Sequence, residues 1–186
     1  MLYLSELVGE DNINICYGKR IIAEECFLSH NKNLYVVDDN FDVFSFSIGL
    51  AISNNNKVLV FVEDYLILRY LSSLVQTSIS NCNNIIIFVL NTGKYSENLS
   101  HLTLSNSVKS MYSVLFNMGF FMYNFTQYFS NKTELKKVIG IYNNIVGPSI
   151  IFIEVDSNKI KGDLDRYKNL PDIKDIIKNG LYNIKE

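Results

Sequence analysis

The feature that most constrains this 186-residue chain is a series of short, almost wholly apolar runs separated by segments of helical spacing. The runs are Ile13–Cys16, Leu34–Val37, Lys57–Val62, Asn84–Leu90, Phe120–Phe125 and Ser149–Val155. Each has the length of a strand, and most are apolar at odd and even positions alike. A strand with one wet face would alternate. A strand apolar on both faces needs cover on both, as in a parallel sheet held between two helical layers. The intervening segments supply that cover. In Tyr65–Ser80 the residues Ile67, Tyr70, Leu71, Leu74 and Val75 recur at helical spacing, which predicts one helix. Val108, Met111, Tyr112, Leu115 and Phe116 repeat the pattern. Leu135, Val138, Ile139 and Tyr142 do so over a shorter stretch, with Ser130 to Thr133 offering N-caps. Gly147-Pro148 marks the last helix-to-strand turn. The polar stretch Ser157–Leu170 is expected to wrap the surface before an amphipathic segment carrying Ile173, Ile176, Ile177 and Leu181. Alternation of this kind predicts an α/β fold: a doubly wound, mainly parallel sheet with helices on both faces and right-handed crossovers. No repeat or linker divides residues 1–186, so one domain is expected.

Composition excludes several function classes. Hydrophobic residues make up 48% and charged residues 19%, which is globular rather than disordered. A net charge of -2 without a basic cluster argues against nucleic-acid binding. Lys132, Lys136 and Lys137 read as a solvated helix face. The longest apolar run, Asn84–Leu90, is too short to span a membrane. Met1–Glu10 lacks the basic start of a signal peptide, so a cytoplasmic location is expected. Cys16, Cys26 and Cys82 are scattered and odd in number, and His30 and His101 have no metal-ligand spacing. Neither a P-loop nor a GxGxxG turn is present.

In open parallel sheets, ligands bind outside the carboxyl ends of the strands. Two such ends are polar: the run from Lys57 that closes on Glu63-Asp64, and the run from Ile85 that continues into Asn91-Thr92-Gly93-Lys94-Tyr95. If these strands are neighbours, Asp64 and Asn91 or Thr92 point into one crevice. A carboxylate, a neutral oxygen and a backbone carbonyl suit magnesium bound to a phosphorylated cofactor. A plainer reading of the same residues stays open. Glu63-Asp64 also fits the acidic first turn of a helix, and Asn91-Thr92-Gly93 also fits a simple turn.

The order of segments adds a resemblance. Ser47-Ile-Gly-Leu-Ala51, Lys57–Asp64, Leu71–Leu74, Leu90–Tyr95, Ser113–Phe120 and Gly147–Val155 together resemble the diphosphate-binding domain of thiamine-diphosphate enzymes. The closest likeness is to the β-type subunit of sulfopyruvate and phosphonopyruvate decarboxylases. It covers about residues 10–157 and leaves 158–186 as a C-terminal helical extension. The resemblance implies a magnesium ion held by Asp64, by the side chain of Thr92 or Asn91, and by the backbone carbonyl of Lys94 or Gly93. It implies thiamine diphosphate as cofactor, lying against Glu63, Asp64, Tyr65, Asn91 and Thr92. It places the catalytic glutamate on a partner, a pyrimidine-binding-domain chain, and none in this chain. The substrate implied is a 2-oxo acid. Assembly with that partner or as a homo-oligomer is expected, in keeping with the abundant Tyr and Phe.

The chain departs from the family pattern at definite positions. Glu63 and Tyr65 stand where the family has the two glycines of Gly-Asp-Gly. Glycine there lets a diphosphate approach backbone N–H groups. Glu63 adds a negative charge beside an anionic ligand, and two unit charges about 4 Å apart repel by roughly 4 kcal/mol at an effective dielectric of about 20. Asp38-Asp-Asn-Phe41 replaces a glycine-rich turn, and Ser96–Ser107 replaces a Thr-Gly-Gly stretch. A second implication follows: a relative that kept the fold, lost the cofactor, and serves as a structural or regulatory binding subunit.

Overall fold

The apolar runs become strands and the periodic segments become helices. A computed structural model describes Leu7, Ile22 and residues 11–17, 33–37, 41–91, 105–125 and 132–154. In chain order the elements are β1 (Ile13–Tyr17), β2 (Leu34–Val37), α1 (Val43–Ser53), β3 (Val58–Glu63), α2 (Asp64–Arg69) and α3 (Leu71–Ile79). They continue with β4 (Ile85–Asn91), α4 (Ser105–Asn117), β5 (Phe121–Phe125), α5 (Lys132–Asn144) and β6 (Ser149–Glu154). The expected surface stretch Ser157–Leu170 and the segment after Pro171 lie outside the described residues.

The strands form one six-stranded sheet in the order β2-β1-β3-β4-β6-β5, with every pair parallel. This is the expected α/β architecture. The central strands are buried on both faces, which is why they read as unbroken apolar runs. Their alternate residues feed two cores. Val58, Val60 and Val62 face one layer with Phe44, Leu66, Leu74 and Leu115. Leu59 and Phe61 face the other with Val138, Tyr142 and Ile145. Helices α1 to α4 therefore cover one face and α5 the opposite one. The α5 side is aromatic at its centre. Phe61 stacks on Phe88 at 5.0 Å between ring centres, and Tyr142 meets Phe88 edge-on at 6.0 Å. Fully burying such side chains stabilises the fold by about 1.5–3 kcal/mol each.

One expectation is corrected. The single helix over Tyr65–Ser80 is two helices, α2 and α3, with a break at Tyr70 (φ -117, ψ 36). No Gly or Pro announces it. The Tyr70 ring is spent on tertiary contacts instead, packing edge-on to Phe44 and lying under the Arg69 guanidinium at 5.3 Å. The Tyr70 N–H still donates to the Leu66 carbonyl, and the Tyr70 carbonyl accepts from Ser73 and Leu74, so the break leaves its backbone groups bonded.

The amino edge of the sheet is tied down by polar side chains. Lys57 Nζ donates to the carbonyls of Tyr142 at 2.6 Å and Asn143 at 2.7 Å, closing the C-terminus of α5. A cation there also meets the negative end of the helix dipole. The Asn84 amide donates to three carbonyls, those of Ala51, Asn54 and Asn56, at 2.9–3.1 Å. It thereby fixes the α1–β3 connection. Gly147 donates its N–H to Asn83 O at 2.7 Å, so close that a Cβ would stand 2.3 Å from Ile85 O.

Candidate functional site

The carboxyl edge begins with the junction of β3 and α2. Val58–Val62 is apolar throughout and buried on both faces, so the strand is fixed up to Glu63. Glu63 stays extended (φ -84, ψ 155) as the N-cap of α2 and makes no side-chain capping bond. Asp64 opens the helix and is completely buried. Tyr65 is 6% exposed and belongs to the same apolar core as Val62 and Leu66. Leu66 and Ile67, both fully buried, anchor the turn from beneath.

Parallel pairing then sets the neighbours. Glu63 pairs in register with Leu90, which brings Asp64 and Asn91 to the same level at adjacent strand ends. The sequence condition that the two strands lie side by side is met. Asn91 pairs in turn with Glu154, the last residue of β6. By the two-residue period, Asn91 and Glu154 follow Val89 and Phe152, which share the core face of Val62. Adjacent strands β4 and β6 thus end in Asn91 and Glu154, and beside them β3 ends at Glu63 with Asp64 following level with Asn91, about 4.8 Å from strand to strand.

The other side of β3 is the place where the chain reverses direction across the sheet. From β1 the chain moves outward to β2, and from β3 it moves the opposite way to β4. Crevices at such points favour ligands. Tyr17 closes β1 here, one residue past the Cys16–Phe61 pair. It is 1% exposed, and its hydroxyl has no hydrogen-bond partner among the described residues.

The expected residues divide as follows. Glu63, Asp64, Tyr65 and Asn91 meet at the β3 and β4 ends. Thr92, Gly93 and Lys94 lie outside the described residues, as do Asp38 to Asn40. Glu154 and Tyr17 escaped the sequence reading. Glu154 carries the same signal as Glu63, an apolar strand that ends on an acid. Tyr17 carries none, because a Tyr after an apolar run looks like more core. Asp42, just past the Asp38–Phe41 stretch, is structural. Its carboxylate caps α1, accepting from the N–H groups of Phe44 at 3.0 Å and Ser45 at 3.3 Å, and from the hydroxyls of Ser45 and Ser73.

Two cofactor groups meet different fits. Asp64 and Asn91 offer a carboxylate and an amide oxygen, the hard donors magnesium requires. Among the described residues no three His, Cys, Asp or Glu side chains form a metal cluster, and this donor set needs none. The flank fits a diphosphate less well. A glycine at 65 would leave open backbone, whereas the Tyr65 ring is committed to the core directly beside Asp64. Cys16 and Cys82 are buried and free.

No protein-family profile matches the chain, and no curated protein matches it in sequence. Its fold has solved counterparts. One is a crystal structure of a protein from Mycobacterium smegmatis, provisionally described as a thiamin diphosphate-dependent enzyme. The TM-score is 0.62 at 13% identity, over 83% of this chain and 30% of that one. The chain has the fold of part of that protein. It spans less than a third of that protein's length. No helix among the described residues is long and apolar enough to cross a membrane.

Proposed function

We propose that the chain is the diphosphate-binding-type subunit of a two-chain, thiamine-diphosphate-dependent enzyme acting on a 2-oxo acid. The observation that carries this reading is the level pairing of Asp64 and Asn91 at the carboxyl ends of β3 and β4. The fold likeness to part of an enzyme described as thiamin diphosphate-dependent supports it. In this reading Asp64 and Asn91 or Thr92, with the Lys94 or Gly93 carbonyl, hold magnesium. These residues would hold the metal where a diphosphate can bind it, and the bound cofactor would supply the carbanion chemistry of decarboxylation. The catalytic glutamate comes from a pyrimidine-binding-domain partner. The role of this chain's own residues is to bind and orient.

A second reading is favoured by one specific observation, the burial of Tyr65 in the apolar core and of its neighbour Asp64. In this reading the chain keeps the fold as a structural or regulatory binding subunit. Asp64 then serves only as the favourable acid at a helix start.

Thermal melting separates the two. With thiamine diphosphate and magnesium at about 100 times Kd, binding adds about 2.7 kcal/mol of stability, a rise of roughly 5–10 °C for a chain of this size. The first reading predicts that rise for the wild type and its loss in Asp64→Asn. An unchanged melting temperature at millimolar ligand, with the partner chain present, leaves only the second.

A further inference from the structure

Tyr17 and Ser149 carry buried hydroxyls that have no hydrogen-bond partner among the described residues. A buried polar group left unmet is costly to the fold, and native chains retain few of them. The two hydroxyls differ in place and reach. Ser149 opens β6 at the amino edge, and a serine hydroxyl is short enough to turn onto local backbone. Tyr17 is the last residue of β1, at the carboxyl edge, and is 1% exposed. Its hydroxyl stands at the tip of a rigid ring, away from its own main chain, where a buried Tyr usually has a partner.

Register and packing place that ring. Cys16 pairs with Phe61, so Tyr17 is level with Val62, two residues short of Asp64. It shares a core cluster with Ile15, Val62, Val43 and Phe44, which puts it on the α1 face of the sheet. Side chains of a strand stand roughly perpendicular to the sheet and lean along the strand. Val43 and Phe44 are the first residues of α1. The hydroxyl therefore lies among the carboxyl ends of β1 and β3 and the N-terminus of α1, at the point where the chain reverses direction across the sheet.

These surroundings select the ligand. The N-terminus of α1 is the positive end of its dipole and favours an anion. The fold already sets one oxyanion there, the Asp42 carboxylate, which takes the N–H groups of Phe44 and Ser45. Tyr17 is left as a donor without an acceptor. A phenol is a neutral donor, and its bond to an oxyanion is roughly twice as strong as its bond to a neutral oxygen. We propose that the Tyr17 hydroxyl is a ligand-binding group that donates to an oxyanion in the crevice between β1 and β3. That oxyanion is a phosphate oxygen of the diphosphate or the carboxylate of the 2-oxo acid. This role rests on the cofactor reading above and adds to it a donor on the side of β3 away from Asn91.

Tyr17→Phe removes only the hydroxyl. Isothermal titration of the full chain in magnesium, with inorganic pyrophosphate and with pyruvate as separate probes, tests the role. The wild type should bind at least one probe at millimolar concentration. Tyr17→Phe should bind it about tenfold more weakly, yet melt without ligand at the same temperature or higher. The probe that is weakened identifies the source of the oxyanion. Unchanged affinity for both probes, or no binding of either by the wild type, overturns the proposal. So does a lower melting temperature for Tyr17→Phe, because the hydroxyl would then belong to the fold. Asp64→Asn separates the two failures. Pyrophosphate binding lost in Asp64→Asn but kept in Tyr17→Phe leaves the magnesium site standing without Tyr17. Probe binding weakened in Tyr17→Phe, in a chain whose melting temperature does not move with thiamine diphosphate, leaves Tyr17 standing without the cofactor.

Discussion

The two edges of the sheet are built differently. At the amino edge, polar side chains are spent on backbone. Lys57 closes α5, Asn84 holds the α1–β3 connection, and Gly147 admits a backbone contact that no side chain allows. At the carboxyl edge, Asp64, Asn91 and Glu154 are gathered in a row by strand register. A parallel sheet delivers all its strand ends to one side, so the two edges can be given separate tasks. Here the amino edge holds the fold together and the carboxyl edge collects the groups capable of chemistry.

Substitutions at the amino edge should therefore act on stability. The largest effect is expected for Gly147→Ala, whose Cβ would lie 2.3 Å from Ile85 O. Relieving that overlap requires backbone movement, at about 3 kcal/mol. Urea unfolding measures it, and a loss below 1 kcal/mol would show that the β4–β6 approach yields easily. Asn84→Ala comes next. Its amide shares two protons among three carbonyls, and losing them should lower stability by about 2 kcal/mol. If chemical denaturation finds no change, the Asn84 bonds do not hold the edge.

Tyr142 gives a pH-dependent test of the same side. Burial raises its phenol pKa above the ordinary 10.0. The folded chain then keeps the proton that the unfolded chain releases. The stabilisation is complete below pH 10 and is lost as pH rises through the folded value. Tyr142→Phe should match the wild type at neutral pH within about 0.5 kcal/mol, because its bond to Leu7 O is long at 3.5 Å. Above pH 10 it should lose less stability than the wild type. Parallel pH–stability curves would contradict the assignment. The smallest effect belongs to the carboxyl edge. Tyr17→Phe removes a buried hydroxyl that has no partner among the described residues, so stability should be unchanged or higher by up to about 1 kcal/mol. A clear loss would mean that this hydroxyl is already used by the fold.

Sequence reading reached the two edges unequally. The central strands were legible because both-face burial writes itself as unbroken apolar runs, and the half-buried edge strand Leu34–Val37 is also reproduced at both ends. The α4 and α5 periods were legible because each helix has one wet side. Helix α1 has no apolar period, since it is apolar all round, and only the family resemblance pointed to it. The break at Tyr70 was hidden because no Gly or Pro marks it; the Tyr70 ring there packs against Phe44, a contact that only the fold reveals. At the site, Asp64 and Asn91 stood out as polar ends of apolar strands. Their juxtaposition needed the register, and so did the arrival of Glu154 from a strand distant in sequence.

The most direct test of the division between the edges is a map of backbone amide shifts in the full chain on adding thiamine diphosphate with magnesium. The account predicts changes confined to the carboxyl edge, at residues 62–66 and 90–91, and absent in Asp64→Asn. Changes centred on the amino edge, at residues 54–57 and 81–84, or no changes at millimolar ligand with the partner chain present, would contradict it.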